Sequence, residues 1–330
     1  ARDLCPVFQP TWEEFNDFET YIQYVESQSG PSGMAKIIPP KGFKARKRGY
    51  KNIDINISHP VRQEVVGFAG VYEVLLVSEK PMNFKSYKKY AESRDHNTEN
   101  LDPDQVEKNF WKQIRFNAPV YGADSNSASL FDEDAPWHLN HLDTELERGL
   151  APHKLLGINE SFVYVGCWKS LFCWHKEDLD LYSINFLHFG KPKFWYCIDP
   201  EHAQKFERFC SFQFHDNQKM CKDFLRHKTT LISPSILKNA GISIRKMVQN
   251  PGEFMVIFPH GYHSGFNFGL NCAEAVNFAL PGWVNIGKRA TRCLCQPDSV
   301  SIDWETFEKN IKRKRSDSTS KKPRKLRKLT

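Results

Sequence analysis

The stretch Phe172–Tyr196, FCWHKEDLDLYSINFLHFGKPKFWY, sets a histidine and a glutamate two residues apart, then a lysine directly before three aromatics. Its neighbours are apolar enough to form a core, and an ionised group buried without a partner is expensive. The charges therefore need a purpose. Side chains two apart on a strand point to one face, so His175 and Glu177 aim at a common point.

Working outward, short runs of β-branched and aromatic residues recur from Phe162 to Phe278: FVYVGCW, LYSINFLHF, KFWYCI, TTLISP, EFMVIFP and NCAEAVNFAL. Turn residues separate them, which predicts a β-sandwich or barrel. DPEHAQKFERFCSFQF and KMCKDFLRHK read as helices decorating its outside. Near the start, TWEEFNDFETYIQYVES opens with Thr11 and Glu14 as a capping box. Phe15, Phe18, Tyr21, Ile22 and Val25 follow on one stripe, an amphipathic helix in a small N-terminal module joined on by a Gly/Pro-punctuated loop. LDPDQVEKNFWKQIRF repeats the logic, with Asp102 as cap, Pro103 in the first turn and Val106, Phe110, Trp111 and Ile114 facing inward.

The chain has 330 residues, 40% of them hydrophobic, enough for one large domain with an appended module. It contains no apolar run of about 18 residues, and its first residues lack the layout of a signal peptide, so a soluble intracellular protein without a membrane partner is expected. Nine cysteines, odd in number and scattered, do not form a secreted disulfide framework and serve as metal ligands or core. The net charge of +7 is concentrated at one end: residues 312–328 hold ten Lys or Arg and one Asp, leaving 36 basic against 38 acidic side chains elsewhere. That tail is low in complexity and is expected to be disordered, with the composition of a nuclear localisation signal and of an arm attracted to DNA phosphates.

A third ligand for His175 and Glu177 comes from FPHGYHSGFN, where His263 follows a hydrophobic strand and His260 competes with it. Two histidines and a carboxylate on one side of a metal suit Fe(II) oxygen chemistry, although on spacing alone a surface pair at a strand end fits as well. Lys193, if buried, needs an anion such as a small dicarboxylate, with Tyr121 and Asn185 placed to add neutral hydrogen bonds. A snorkelling lysine, a turn tyrosine and a core amide are the plainer readings. Cys221, His227, Cys293 and Cys295 make a donor set fit for structural zinc, or else free core thiols and a helix-surface histidine.

WHKEDLDLYSINFLHFGKPKFWY, FLRHKTTLISPSILKNAGI, GEFMVIFPHGYHSGFNFGLNCAEAVNFA and the N-terminal PTWEEFNDFETYIQYVES with GMAKIIPPKGF occur in order between Val7 and Cys295. Together they resemble the JmjN plus JmjC histone lysine demethylases of the trimethyl-lysine subfamily. The resemblance implies a mainly β fold with flanking helices, a jelly-roll or cupin-like double-stranded β-helix. It divides the chain into a JmjN module (7–50), a mixed linker with a helix (51–118), the catalytic domain (119–285), a zinc-clamped segment (286–311) and the basic tail (312–330).

It further implies Fe(II) on His175, Glu177 and His263, with 2-oxoglutarate chelating the metal. The far carboxylate of 2-oxoglutarate is then held by Tyr121 and Lys193, Asn185 adds a contact, and Phe172 and Trp195 form apolar walls. Zinc is implied on Cys221, His227, Cys293 and Cys295. The methyl-lysine pocket is implied at Gly157, Tyr164, Glu177, Ala275 and Asn277. The expected reaction uses O2 to hydroxylate an N-methyl group of tri- or dimethyl-lysine on the histone H3 tail, giving formaldehyde, succinate and CO2 in the nucleus.

Ala275 and Val276 stand where several members carry Ser and Thr, and His260 where tyrosine is usual. The loss of two hydroxyls implies lysine 9 of H3 rather than lysine 36. A catalytically silent methyl-histone-binding module of the same fold and a tail-driven nucleic-acid binder are the rival readings. The first has no use for all of His175, Glu177, His263 and Lys193, and the second leaves the buried charges unexplained.

Overall fold

The computed structural model describes residues 4–125, 127–295 and 299–320. Its centre is a pair of sheets. The smaller runs in the order Ile244–Gln249, Lys193–Ile198, Tyr262–Asn267 and Leu171–His175, antiparallel throughout. The larger has ten strands, and Phe254–Ile257, Tyr182–Gly190, Asn271–Phe278 and Phe162–Gly166 lie adjacent in its middle. Trp195, Cys197 and Met247 of the small sheet pack with Met34, Met255 and Ile257 of the large one, so the sheets face each other across a buried layer. The sheets are not closed into one barrel: they share no strand pairing among the described residues. All six runs read as strands in the sequence are strands here.

Alternation decides which side chains reach the space between the sheets. Lys193, Trp195 and Cys197 pair across with Asn267, Gly265 and His263, and these six share the inner face. The pairing of Tyr262–Asn267 with Leu171–His175 slips between His263 and Gly265, so that His175 and Phe172, three apart, both point inward. A β-bulge of this kind re-aims side chains at a site.

Three expectations change. The N-terminal segment is not a module tethered by a loop, because Met34–Ile37 adds to the edge of the large sheet beside Phe254–Ile257 and carries Val7–Phe8 with it. Its capping box is real, with Glu14 accepting from the Thr11 amide at 2.8 Å, but it closes a 3-10 turn at Glu14–Asn16. The α-helix Phe18–Gln28 is capped instead by Asp17, which accepts from the Thr20 amide. Residues 51–118 are more than a linker, since the hairpin Val61–Phe68 and Val71–Ser78 extends the large sheet. Its two-residue turn places Ala69 and Gly70 at φ of 52° and 86°, the geometry that suits the twist of a hairpin.

At the C-terminus a helix runs over Trp304–Ser320, into the stretch expected to be disordered. Asp303 accepts from the Glu305 and Thr306 amides at its start, and Phe307 and Ile311 are buried against the core. The ordered first turns template those that follow. Residues 321–330 of the basic tail lie outside the described residues.

Candidate active site

His175 ends its strand, and Glu177 follows it in extended backbone (φ −66°, ψ 151°) rather than on the strand itself. The shared direction of the two side chains survives because extended backbone keeps the two-residue period. His263 lies directly across the sheet from His175, their rings 4.2 Å apart, and its Nε2 is 3.4 Å from Glu177 Oε1. One donor atom from each of the three falls within 4.8 Å of the others.

Each histidine has Nδ1 committed to a backbone carbonyl, His175 to Cys173 at 2.6 Å and His263 to Gly261 at 3.1 Å. A proton on Nδ1 leaves the Nε2 lone pair free for a metal, the arrangement that ligating histidines use. Burial opposes the Glu177 charge, but the His263 and His175 imidazoles beside it hold the carboxyl below its usual range. Asn277 donates to Glu177 Oε2 at 3.1 Å and fixes the carboxylate from the large sheet. Two imidazoles and a carboxylate gathered on one side fit Fe(II) and leave its other positions open.

Lys193 is 2% exposed and has no carboxylate in ion-pair range among the described residues. Its ammonium donates to Asn267 Oδ1 at 2.6 Å and lies 3.4 Å from the Tyr121 hydroxyl, over the Tyr121 and Phe172 rings. Burial lowers its pKa to about 7. Tyr121 belongs to the strand Val120–Ser125, not to a turn. The Phe172 and Trp195 rings lie 4.7 Å apart, tilted at 60°, and wall the space between Lys193 and the three metal-type donors. Gly265 is required there, because a Cβ on it would sit 2.4 Å from the Phe172 ring and 2.1 Å from the Phe194 carbonyl. Asn185 is on the inner face opposite Ala275, its Oδ1 accepting from Gln249, which in turn accepts from Trp195 Nε1.

Among the residues expected to form a methyl-lysine pocket, Asn277 contacts Glu177 directly. Ala275 shares an inner face with Asn277, and the Asn277 amide donates to the Ile158 carbonyl, which brings Gly157 alongside. Gly157 has φ of +80°, and a Cβ there would lie 2.3 Å from the Phe162 ring. Tyr164 stands next to Tyr121, and burial followed by the neighbouring Asp124 raises its hydroxyl far above the ordinary range. Val276 does not share the face of Ala275 and Asn277. Strand alternation turns it outward into the packed layer with Phe278 and Ile184, so of the two only Ala275 faces the space between the sheets.

Sequence reading missed Asn267 and Gln249. Each is an amide inside a strand, a type too common in cores to stand out before the strand pairing is known.

Cys221, His227, Cys293 and Cys295 also converge, with donor atoms within 4.8 Å of one another. Cys221 and Cys293 sulfurs are 3.7 Å apart, and His227 Nε2 is 3.2 Å from Cys293 Sγ. Tetrahedral Zn–S bonds of about 2.3 Å require sulfur–sulfur edges of about 3.8 Å, so the set fits zinc. A third group, Glu133, His138 and His141, is less suited to a metal, since His138 Nδ1 already accepts from the Asn140 amide.

Residues 162–278 match the JmjC domain, described as a hydroxylase, and residues 6–39 match the jmjN domain. The chain belongs to the JmjN/JmjC protein family. Within it, the sequence is 46% identical over 310 residues to lysine-specific demethylase 4D of Rattus norvegicus and 45% identical over 309 residues to lysine-specific demethylase 4B of Mus musculus. It is 46% identical over 312 residues to probable lysine-specific demethylase 4F of Homo sapiens. Each match covers 91% of this chain but only 60%, 28% and 48% of the respective relative, so the chain spans part of the length of these proteins.

Proposed function

We propose that the chain is an Fe(II)- and 2-oxoglutarate-dependent demethylase of tri- and dimethylated lysine on the histone H3 tail, acting first on lysine 9. The observation that supports it most is the pairing of an open three-donor metal set with a buried, carboxylate-free lysine on one inner wall. Lys193 and the position opposite His263 are four residues apart on one strand, about 13 Å. The lysine stem and a short dicarboxylate bridge that length.

His175, Glu177 and His263 would hold Fe(II), which would supply the O2 chemistry, coupled to decarboxylation of 2-oxoglutarate, for hydroxylating an N-methyl group. The chain's own residues do the rest. Asn277 and the two backbone carbonyls fix the donors, while Lys193 and Tyr121 hold the far carboxylate of the cosubstrate. Phe172 and Trp195 keep water from the wall between them. A trimethylammonium cannot donate hydrogen bonds, so the Tyr164 hydroxyl, the Gly157 carbonyl and Glu177 offer it oxygen partial charges. The hydroxymethyl group then leaves as formaldehyde, with no nitrogen lone pair needed at the oxidation step.

Ala275 in the pocket wall, where a hydroxyl is common, favours the narrower scope of lysine 9 over lysine 36. Chromatin as substrate implies nuclear residence, with the basic C-terminal stretch adding sequence-blind attraction to nucleosomal DNA. No helix among the described residues is long and apolar enough to cross a membrane. The test is product balance on a trimethyl-lysine-9 H3 peptide. Equal formaldehyde and succinate support the reading, and succinate formed at the same rate without peptide or formaldehyde contradicts it.

A further inference from the structure

Asp180 lies three residues beyond Glu177 and is 3% exposed, yet the chemistry above does not use it. Its Oδ1 receives Lys176 Nζ at 3.1 Å and Arg226 Nη2 at 3.4 Å, and its Oδ2 receives His260 Nδ1 at 3.2 Å. These partners are not scattered. Lys176 stands between His175 and Glu177, His260 lies three residues before His263, and Arg226 adjoins His227 of the thiol cluster. One carboxylate therefore ties both segments carrying the three iron-type donors to each other and to the segment carrying the zinc-type cluster.

The same loop is held in a conformation it would not adopt alone. Leu179 and Asp180 are both left-handed, at φ of 54° and 49°, a region costly for a branched side chain such as leucine. Trp283 Nε1 donates to the Leu179 and Asp180 carbonyls, and Arg226 Nη1 donates to the Glu177 carbonyl at 2.8 Å. Burial opposes the Asp180 charge, but His260, Lys176 and Arg226 outweigh it and hold the carboxyl at about 2. It is ionised throughout the neutral range.

We propose that Asp180 is a positioning residue for the iron site: it sets the spacing of the His175–Glu177 and His263 segments by gathering Lys176, Arg226 and His260 on one carboxylate. The proposal rests on the reading of His175, Glu177 and His263 as metal donors. Groups that orient first ligands typically change metal affinity 10- to 100-fold when removed.

The test measures Mn(II) affinity by electron paramagnetic resonance on anaerobic, zinc-loaded protein, comparing the intact chain with Asp180→Asn, His260→Phe, Lys176→Met and His175→Ala. Asn keeps the shape and tolerates the left-handed backbone but cannot balance Lys176 and Arg226 or accept at both oxygens. Asp180→Asn is expected to weaken Mn(II) binding about 10- to 100-fold with zinc content unchanged. His260→Phe and Lys176→Met should each weaken it severalfold, and the bound-Mn(II) spectrum should broaden. His260 is 47% exposed on its side chain, so its replacement reports even if Asp180→Asn folds poorly. If all three bind Mn(II) as the intact chain does, while His175→Ala abolishes binding, Asp180 plays no positioning role. If His175→Ala also binds normally, the metal assignment itself fails.

Discussion

Lys193 gives the most quantitative test of the cosubstrate assignment. Burial brings its pKa to about 7, whereas an unfolded chain holds a lysine near about 10.4. A lysine depressed in the fold penalises folding while the unfolded state is protonated and the native state is not. Stability of the ligand-free protein should therefore rise with pH between about 7 and about 10.4. A dicarboxylate beside the ammonium reverses the preference and keeps it charged. At pH 8 roughly nine tenths of the free lysine is neutral, so binding of 2-oxoglutarate should take up about 0.9 proton. Affinity should fall up to about tenfold per pH unit above 7.

Isothermal titration of the anaerobic Mn(II) protein in two buffers of different ionisation enthalpy reads the proton uptake directly. Lys193→Met should abolish it. The same variant should lose about 1.5 to 3 kcal/mol, the worth of a hydrogen bond to a charged group, which is about 10- to 150-fold in Kd. Buffer-independent heats at pH 8, with a Kd flat in pH and unchanged in Lys193→Met, would refute the reasoning.

Three further outcomes follow from the geometry. Cys293→Ser removes a sulfur 3.7 Å from Cys221 Sγ and 3.2 Å from His227 Nε2 and should release zinc, measured by elemental analysis. It should also destabilise the fold by several kcal/mol, a fraction of the about 10 to 16 kcal/mol that zinc supplies in finger peptides. Gly265→Ala should cost about 1 to 3 kcal/mol by overpacking against Phe172 and the Phe194 carbonyl, read as a lower Tm and a raised KM for 2-oxoglutarate. Deleting residues 312–330, with their ten basic side chains, should leave turnover on short peptides nearly unchanged. It should also flatten the salt dependence of nucleosome binding by several units of slope and reduce nuclear accumulation; identical salt titrations would show a merely solvated end.

The site was legible because its residues break the pattern around them. His175, Glu177 and Lys193 are ionisable groups in or beside apolar strands, and the fold places all three between the sheets. What could not be read is what depends on pairing. The bulge that turns Phe172 and His175 to one side appears only once Tyr262–Asn267 is laid against Leu171–His175. Ala275 and Val276 look equivalent in the sequence as two positions lacking a hydroxyl, yet alternation sends Val276 to the opposite face from Ala275 and Asn277. Asp180 has nothing to mark it in the sequence, since two of its three partners, Arg226 and His260, come from segments distant in sequence. The hairpin at Val61–Ser78 did carry a signal, two β-rich runs around Ala69-Gly70, that the mixed composition of residues 51–118 obscured.

Mass spectrometry of trimethylated H3 peptides tests the central claim most directly. The protein, supplied with Fe(II), ascorbate, O2 and 2-oxoglutarate, should convert trimethyl-lysine 9 stepwise to di- and monomethyl-lysine, leave lysine 36 far less changed, and lose all conversion in His175→Ala. Peptides that keep every methyl group, or conversion that persists in His175→Ala, would contradict it.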